Sequence, residues 1–389
     1  MLIQFHFLQN YVPSNLNRDD TGSPKDAIFG GVPRGRISSQ CLKRSIRRSL
    51  TFQEAFTAEN LLGKRTQMLP TLVGDKLGEM KIDKEIITAI LSRLPEIIRG
   101  STKGVKSEDE SDEGSDEAEE ATNDEVAIKD LKQLVFLDVK TELAQFTERL
   151  LDAFNSYGAK QWAKVKVKEI TQKLGESIPR SVDIAMFGRM TTSQTFKNVQ
   201  ASVQVAHALS ANALKQEFDY YTAMDDLKPD SEPGADMIGD IEFNSCTYYK
   251  YSNIHWEQLV TNLGKEALPV ARRAVPALLE AALMAHPSGK QNSFGAFNLP
   301  DFVLVEVSER NLPVSYANAF LKPVYGFSDK SLMENSVAKL SEYVARLSKV
   351  YNLDLKRAYM TVDNLAFLDF KAQPSLKYLK DWLVAQLPK

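Results

Sequence analysis

The chain has 389 residues, 43% hydrophobic and 25% charged, which is enough to bury a substantial core and to form more than one lobe. Its two cysteines, Cys41 and Cys246, lie far apart and match no zinc or redox spacing, which argues against a disulfide framework or an oxidising compartment. The first residues, Met1-Leu2-Ile3-Gln4-Phe5-His6-Phe7, lack the basic flank and long apolar centre of a signal peptide, and no apolar run approaches a membrane span. The expectation is a cytoplasmic protein with no membrane partner.

In chain order, residues 2–8 alternate with Ile3, Phe5 and Phe7 on one face, which predicts a strand. A Pro, Asn, Asp and Gly-rich loop is expected over 13–35, followed by a helix over 38–50 with Ser38-Ser39 as its N-cap. Residues 53–175 read as helical, most clearly at 82–98 and 128–154. They are interrupted by an acidic run at 107–125 that holds eleven acidic residues and no Lys or Arg. That run has too little apolar surface to offset the entropy of ordering and is expected to be a disordered loop. Without it the formal net charge of −3 becomes 48 basic against 40 acidic residues, about +8, a balance suited to a polyanionic partner.

Strand signals return at 181–187, ended by Gly188, and a helix is expected over 197–215. A polar stretch at 220–242 reads as a projecting loop before a strand at 243–251. Helices follow at 256–263 and 268–285, then a strand at 302–308 and helices at 331–351 and 376–387. Strands at both ends and in the middle, around an inserted helical block, predict an α+β sheet domain with two insertions.

The chemistry concentrates in residues 17–48. On a helical wheel Leu42, Ile46 and Leu50 fall on one arc, while Gln40, Lys43, Arg44 and Arg47 gather on the opposite one. Ser38 and Gln40 add hydrogen-bonding groups at the helix start, where backbone N–H groups favour a phosphate. Arg34 and Arg36 extend this basic surface, and Gly30, Gly31 and Gly35 permit close backbone approach. Gly30 and Gly35 have the spacing of a phosphate-binding loop but are followed by Arg36-Ile37, which lacks the lysine and the magnesium-binding hydroxyl and argues against nucleotide hydrolysis. His6, His207, His255 and His286 show no metal spacing, and His207 is expected to be a buried or half-buried side chain. No metal or other cofactor is expected.

The strings Asn17-Arg18-Asp19-Asp20, Lys25-Asp26-Ala27-Ile28-Phe29-Gly30-Gly31 and Arg36-Ile37-Ser38-Ser39-Gln40-Cys41-Leu42-Lys43-Arg44 resemble the CasC family, the guide-RNA (crRNA) backbone subunit of the type I-E CRISPR Cascade complex. Further matching strings are Gly188-Arg189-Met190, Ala206-His207-Ala208, Thr222-Ala223-Met224-Asp225-Asp226-Leu227 and Ala317-Asn318-Ala319-Phe320. The acidic run at 107–125 looks like an addition to the family pattern.

The resemblance implies a right-hand shape. A palm of RRM-like (ferredoxin-like) fold would be built from 1–52, 179–219 and 244–389, with a helical finger insertion at 53–178 and a thumb loop at 220–243. It also implies a non-catalytic RNA-binding protein whose copies stack head to tail along crRNA as a helical oligomer. Such a stack kinks the guide at regular intervals and presents it to a target DNA strand in antiviral defence. Its other partners would be the large, small, guide 5′-end and crRNA-processing subunits. Carried over position by position, Arg18, Lys25, Ser38, Gln40, Lys43, Arg44, Arg47 and Arg189 would hold guide phosphates. Met190 would wedge against bases near each kink. Two rival readings stay open: a metal-dependent RNA-cleaving subunit using Asp225 and Asp226, and a general single-strand-binding protein.

Overall fold

The computed structural model of the protein describes residues 1–99, 131, 134–175, 179–191, 193, 195–222, 238–264, 267–363 and 365–389. The acidic run at 107–125 and the Asp225-Asp226 pair lie outside the described residues. The chain divides into two units, Met1–Thr57 with Ser202–Lys389, and Ala58–Ala201. The inserted unit is therefore shifted from the expected 53–178, with residues 53–57 staying in the first unit and 179–201 joining the second.

The first unit begins with β1 (Leu2–Ser14), β2 (Asp26–Phe29), β3 (Val32–Ile37), α1 (Ser39–Arg48) and α2 (Leu50–Thr57). The second unit comprises β4 (Gly63–Thr66), α3 (Leu69–Glu79), α4 (Lys84–Arg99), β5 (Val135–Asp138), α5 (Glu142–Tyr157), α6 (Ala159–Trp162), α7 (Val167–Leu174) and α8 (Val182–Phe187). The first unit then resumes with β6 (Val203–Val205), β7 (Ala208–Ser210), β8 (Glu217–Thr222), β9 (Ile238–His255), α9 (Trp256–Leu263), α10 (Leu268–Met284) and α11 (Gln291–Phe294). It closes with β10 (Phe302–Ser308), a 3₁₀ turn at Ala317–Phe320, α12 (Leu332–Tyr351), β11 (Lys356–Thr361) and α13 (Leu376–Gln386). This is a mixed α and β protein built on an antiparallel sheet.

Among the described residues that sheet has nine strands in the order β11-β10-β1-β9-β7-β3-β2, with β6 and β8 also paired to β9. Strand β1 lies inside it, antiparallel to β10 through Phe5↔Val305 and to β9 through Phe5↔Ser252. The alternation that predicts β1 is present, yet its second face is buried too and carries Gln4, His6 and Leu8. His6 Nε2 lies 3.2 Å from Glu306 Oε2, and Arg357 Nε and the Tyr316 hydroxyl donate to the same carboxylate at 2.6 and 2.9 Å. Burial alone would raise the Glu306 pKa, but His6 and Arg357 hold it below the ordinary carboxylate value. Such desolvated charges are tolerable because each one has partners.

Helix α12 covers this face. Ser331 accepts from the Glu334 N–H while its own N–H donates to Glu334 Oε2, a capping box that fixes the helix start. Met333, Val337, Leu340 and Val344, spaced to share one side, pack with Leu8, Tyr249, Phe302 and Leu304. Each such buried aliphatic contributes roughly 1.5–3 kcal/mol.

Three segments depart from expectation. Residues 181–187 form helix α8 instead of a strand. The Gly188 N–H caps it on Ile184 O at φ 79°, and Val182 to Met186 are all buried, so full burial overrides the alternating pattern. Residues 197–215 hold β6 and β7 where a helix was expected, because their Val-rich backbone completes the edge of β9. The expected loop at 13–35 contains the β2–β3 hairpin, which turns on Gly30 and Gly31 at φ 62° and 78°, a two-residue turn needing positive φ at both positions. A Cβ on Gly30 would lie 2.0 Å from Leu321 O.

The second unit has its own core. Leu69, Val73, Ile90, Leu94, Phe146, Leu150, Phe154 and Trp162 cluster between helices α3 to α6. Inside this nominally helical block β4 and β5 pair as a two-stranded ribbon, for example Arg65↔Phe136, which corrects the helical reading of 128–154.

Candidate nucleic-acid interface

The first unit assembles its basic surface through one asparagine. Asn17 accepts the Lys25 N–H on its backbone oxygen and the Ser38 N–H on Oδ1, both at 2.8 Å. Lys25 O in turn accepts the Arg36 N–H at 2.9 Å. The loop before β2, strand β3 and the start of α1 are thus pinned together. Upstream, Asp19 Oδ1 accepts from Thr21 and Ser23, foremost the Thr21 hydroxyl, which holds its carboxyl below the ordinary value and shapes the turn that carries exposed Arg18.

Ser38 caps α1 by accepting the Cys41 N–H at 3.2 Å. Leu42 and Ile46 are buried, Gln40 and Arg44 are exposed, and Lys43 and Arg47 are half-buried, so the two-faced wheel predicted for this helix is present. Leu50 is a correction, because α1 ends at Arg48 and Leu50 opens α2 with 76% of its surface exposed. Ser38 is itself buried, so its hydroxyl oxygen serves the helix before any ligand. No ion pair among the described residues engages Lys25, Lys43 or Arg44, and α1 has no acidic residue in its first turn.

Two arginines behave differently from expectation. Arg34 does not extend the basic surface. It is completely buried, with Nη1 donating to Ser210 O and Ala211 O at 2.8 and 2.9 Å and Nη2 to Phe320 O at 2.8 Å. Burial lowers its pKa, and no carboxylate offsets its charge among the described residues. It staples the β2–β3 hairpin to the loops after β7 and before α12.

Arg189, in the second unit, is likewise buried. Its Nη1 and Nη2 donate to Glu142 Oε2 and Oε1 at 2.7 and 2.9 Å, and Phe136 O and Lys197 O accept its other N–H groups. The expected phosphate contact at Arg189 is corrected accordingly, since this bidentate buried pair makes it a structural residue. Met190, the next residue, is 94% exposed and so is no core methionine.

His207 also corrects its sequence reading. It is exposed in the short turn between β6 and β7, where its Nδ1 accepts the Ser39 N–H at 3.4 Å. Partial burial lowers its pKa, and the charges of Arg36, Lys25 and Lys43 lower it further. The sequence signal was available in the Ala206-His207-Ala208 string, but nothing in it placed this turn beside α1.

Below α1, Lys250 is buried against Ala282 O at 3.2 Å and the Phe7 ring. Desolvation pushes its pKa down to about 7. The expected loop at 220–243 is instead a strand ribbon at its base, with β8 pairing β9 from Glu217↔Phe243 to Thr222↔Ile238. Every residue of β8 is exposed, including Phe218 and Tyr220.

Among the described residues no group of three or more His, Cys, Asp or Glu side chains could hold a metal ion, and no helix is long and apolar enough to cross a membrane.

The chain matches the family model of CT1975-like proteins over residues 3–382. It belongs to that family. This CT1975-like placement bears out the family resemblance drawn from the motifs. The CT1975-like chain is similar to a chain from a structure of a CRISPR RNA-guided surveillance complex, pre-nicking, with 31% identity, 99% of each chain covered and a TM-score of 0.76. A chain from another CRISPR RNA-guided surveillance complex aligns over 99% of each chain at 24% identity and a TM-score of 0.60, a likeness of fold. No curated protein matches it.

Proposed function

We propose that this chain is a non-catalytic RNA-binding subunit that polymerises head to tail along crRNA and forms the backbone of a type I-E CRISPR surveillance complex. In this reading the first unit is an RRM-like palm, the second unit the fingers and the β8–β9 ribbon the base of a thumb. Lys25, Gln40, Lys43, Arg44 and Arg47, with Arg18 beside them in sequence, grip guide phosphates, while bases remain free to pair with target DNA. Met190 wedges against bases without regard to sequence.

The observation that carries the reading is the basic face at α1, whose cations Lys25, Lys43 and Arg44 have no acidic partner among the described residues. Cations left unpaired beside a helix start attract a polyphosphate backbone. The likeness at 31% identity to a surveillance-complex chain supplies the context.

The test is co-expression with a CRISPR repeat-spacer transcript and its processing subunit, followed by sizing of the particle and sequencing of retained RNA. A large particle holding guide-length RNA is the expected result. A monomer free of RNA would overturn the proposal.

A further inference from the structure

His207 has the wrong charge environment for an ordinary surface histidine. Strand β7 pairs with β3 through Arg36↔Leu209 and Ile37↔Ala208, so the residue just before β7 falls beside the β3–α1 junction. There the ring meets the charges of Lys25 from the loop before β2, Arg36 from β3 and Lys43 from α1. These three cations, from three elements, oppose an imidazolium.

The geometry fixes the resting state. An N–H···N hydrogen bond from Ser39 requires Nδ1 to accept, so the neutral ring carries its proton on Nε2. In that form His207 occupies a backbone N–H of the first turn of α1. A proton added at Nδ1 would end this bond, free the Ser39 N–H and turn both ring nitrogens into donors. Near neutral pH, an anion arriving among the three cations makes that exchange favourable, because it converts their repulsion of the imidazolium into shared attraction.

We propose that His207 is a proton-linked phosphate contact: neutral and hydrogen-bonded to Ser39 in the free protein, and protonated and donating to a phosphodiester when RNA is bound. The inference rests on the RNA-binding reading above and adds a ligand and a regulation to it. The proton comes from bulk solvent, and no bond other than hydrogen bonds changes. The sign follows from linkage. The protonated form binds phosphate better, so affinity rises as pH falls through the RNA-bound pKa of the ring, and levels off below its free pKa.

The test is calorimetric titration of the full chain with single-stranded oligouridylate near pH 7, in two buffers of different ionisation enthalpy, which counts protons taken up. Wild type should take up protons on binding, and His207→Gln should remove that uptake while still binding at pH 8.5. Between pH 8.5 and pH 6 the wild type should gain about three- to tenfold more affinity than the variant. Imidazole NMR of the wild type with and without the RNA supplies a readout independent of the variant, and the His207 pKa should rise on binding. Binding with equal proton uptake in both proteins, or with no rise of that pKa, would overturn this inference and leave the RNA-binding reading standing. Absence of RNA binding at every pH would overturn both.

Discussion

Two regions of this molecule hold basic side chains of similar look in the sequence and use them in opposite ways. At α1 the cations Lys25, Lys43 and Arg44 reach solvent without a carboxylate partner among the described residues, and beneath Leu42 and Ile46 of that helix lies the buried Lys250, also without one. In the second unit Arg189 sits in a string that resembles an RNA contact, yet its guanidinium is closed on Glu142 and two carbonyls. A guanidinium neutralised inside the fold organises its own unit, and a cation left unneutralised at the surface is available to a ligand. Partner status separates the two roles where sequence motif does not.

The contrast can be attacked at four points. The largest effect belongs to the closed pair. Arg189→Met strands the buried Glu142 charge and should destabilise the second unit by about 3–5 kcal/mol, read as lost hydrogen-exchange protection in α5. Arg189→Met with wild-type protection would return this arginine to the list of ligand contacts.

Next comes Lys250, whose folded pKa of about 7 lies below its ordinary 10.5. The unfolded chain then binds more protons between these values, so this residue's contribution makes stability rise with pH across that window. Lys250→Met should stabilise most at pH 6 and progressively less toward pH 10, by up to about 1.4 kcal/mol per pH unit. Denaturant unfolding across pH checks it, and a pH-independent difference would show that Lys250 does not titrate there.

Smaller still is the open face. Lys43→Ala with Arg47→Ala should lower the salt slope of RNA binding by about 0.7 per lost phosphate contact for a single strand. An unchanged slope would remove α1 from the interface. The smallest change is Met190→Ser, expected within about 0.5 kcal/mol of wild-type stability because the side chain is exposed. Its effect should appear in the regular kinking of bound RNA, seen by imaging. A large loss of stability would mean that Met190 packs.

Much of the fold was legible where one period ran long enough to dominate. Helices α9, α10, α12 and α13 and strand β10 fall within two residues of their expected bounds, because each combines a sustained apolar stripe with a cap or breaker. Short segments were read wrongly for the opposite reason. Seven residues around Ile184 satisfy a strand period and a buried helical turn equally well, and only packing decides. The ribbons β4–β5 and β8–β9 depend on partners far along the chain, which local composition does not report. At the site, the cationic arc of α1 was readable from spacing alone. The burial of Arg34, the pairing of Arg189 with Glu142 and the exposure of His207 were not, since each depends on a contact more than 45 residues away.

The long central strand β1 has a consequence for how the molecule is made. Its ladder joins residues 2–8 to 302–308 and its other edge pairs with β9, so this strand, made well before either partner, waits for about 300 further residues before it finds both neighbours. The second unit draws its core from one continuous stretch, 58–201, and can close while the remainder is still being synthesised. Separations this long slow folding and leave strand edges unpaired in the interval. The basic helix that follows the early strands is therefore displayed on a finished scaffold only late, after translation has passed β10.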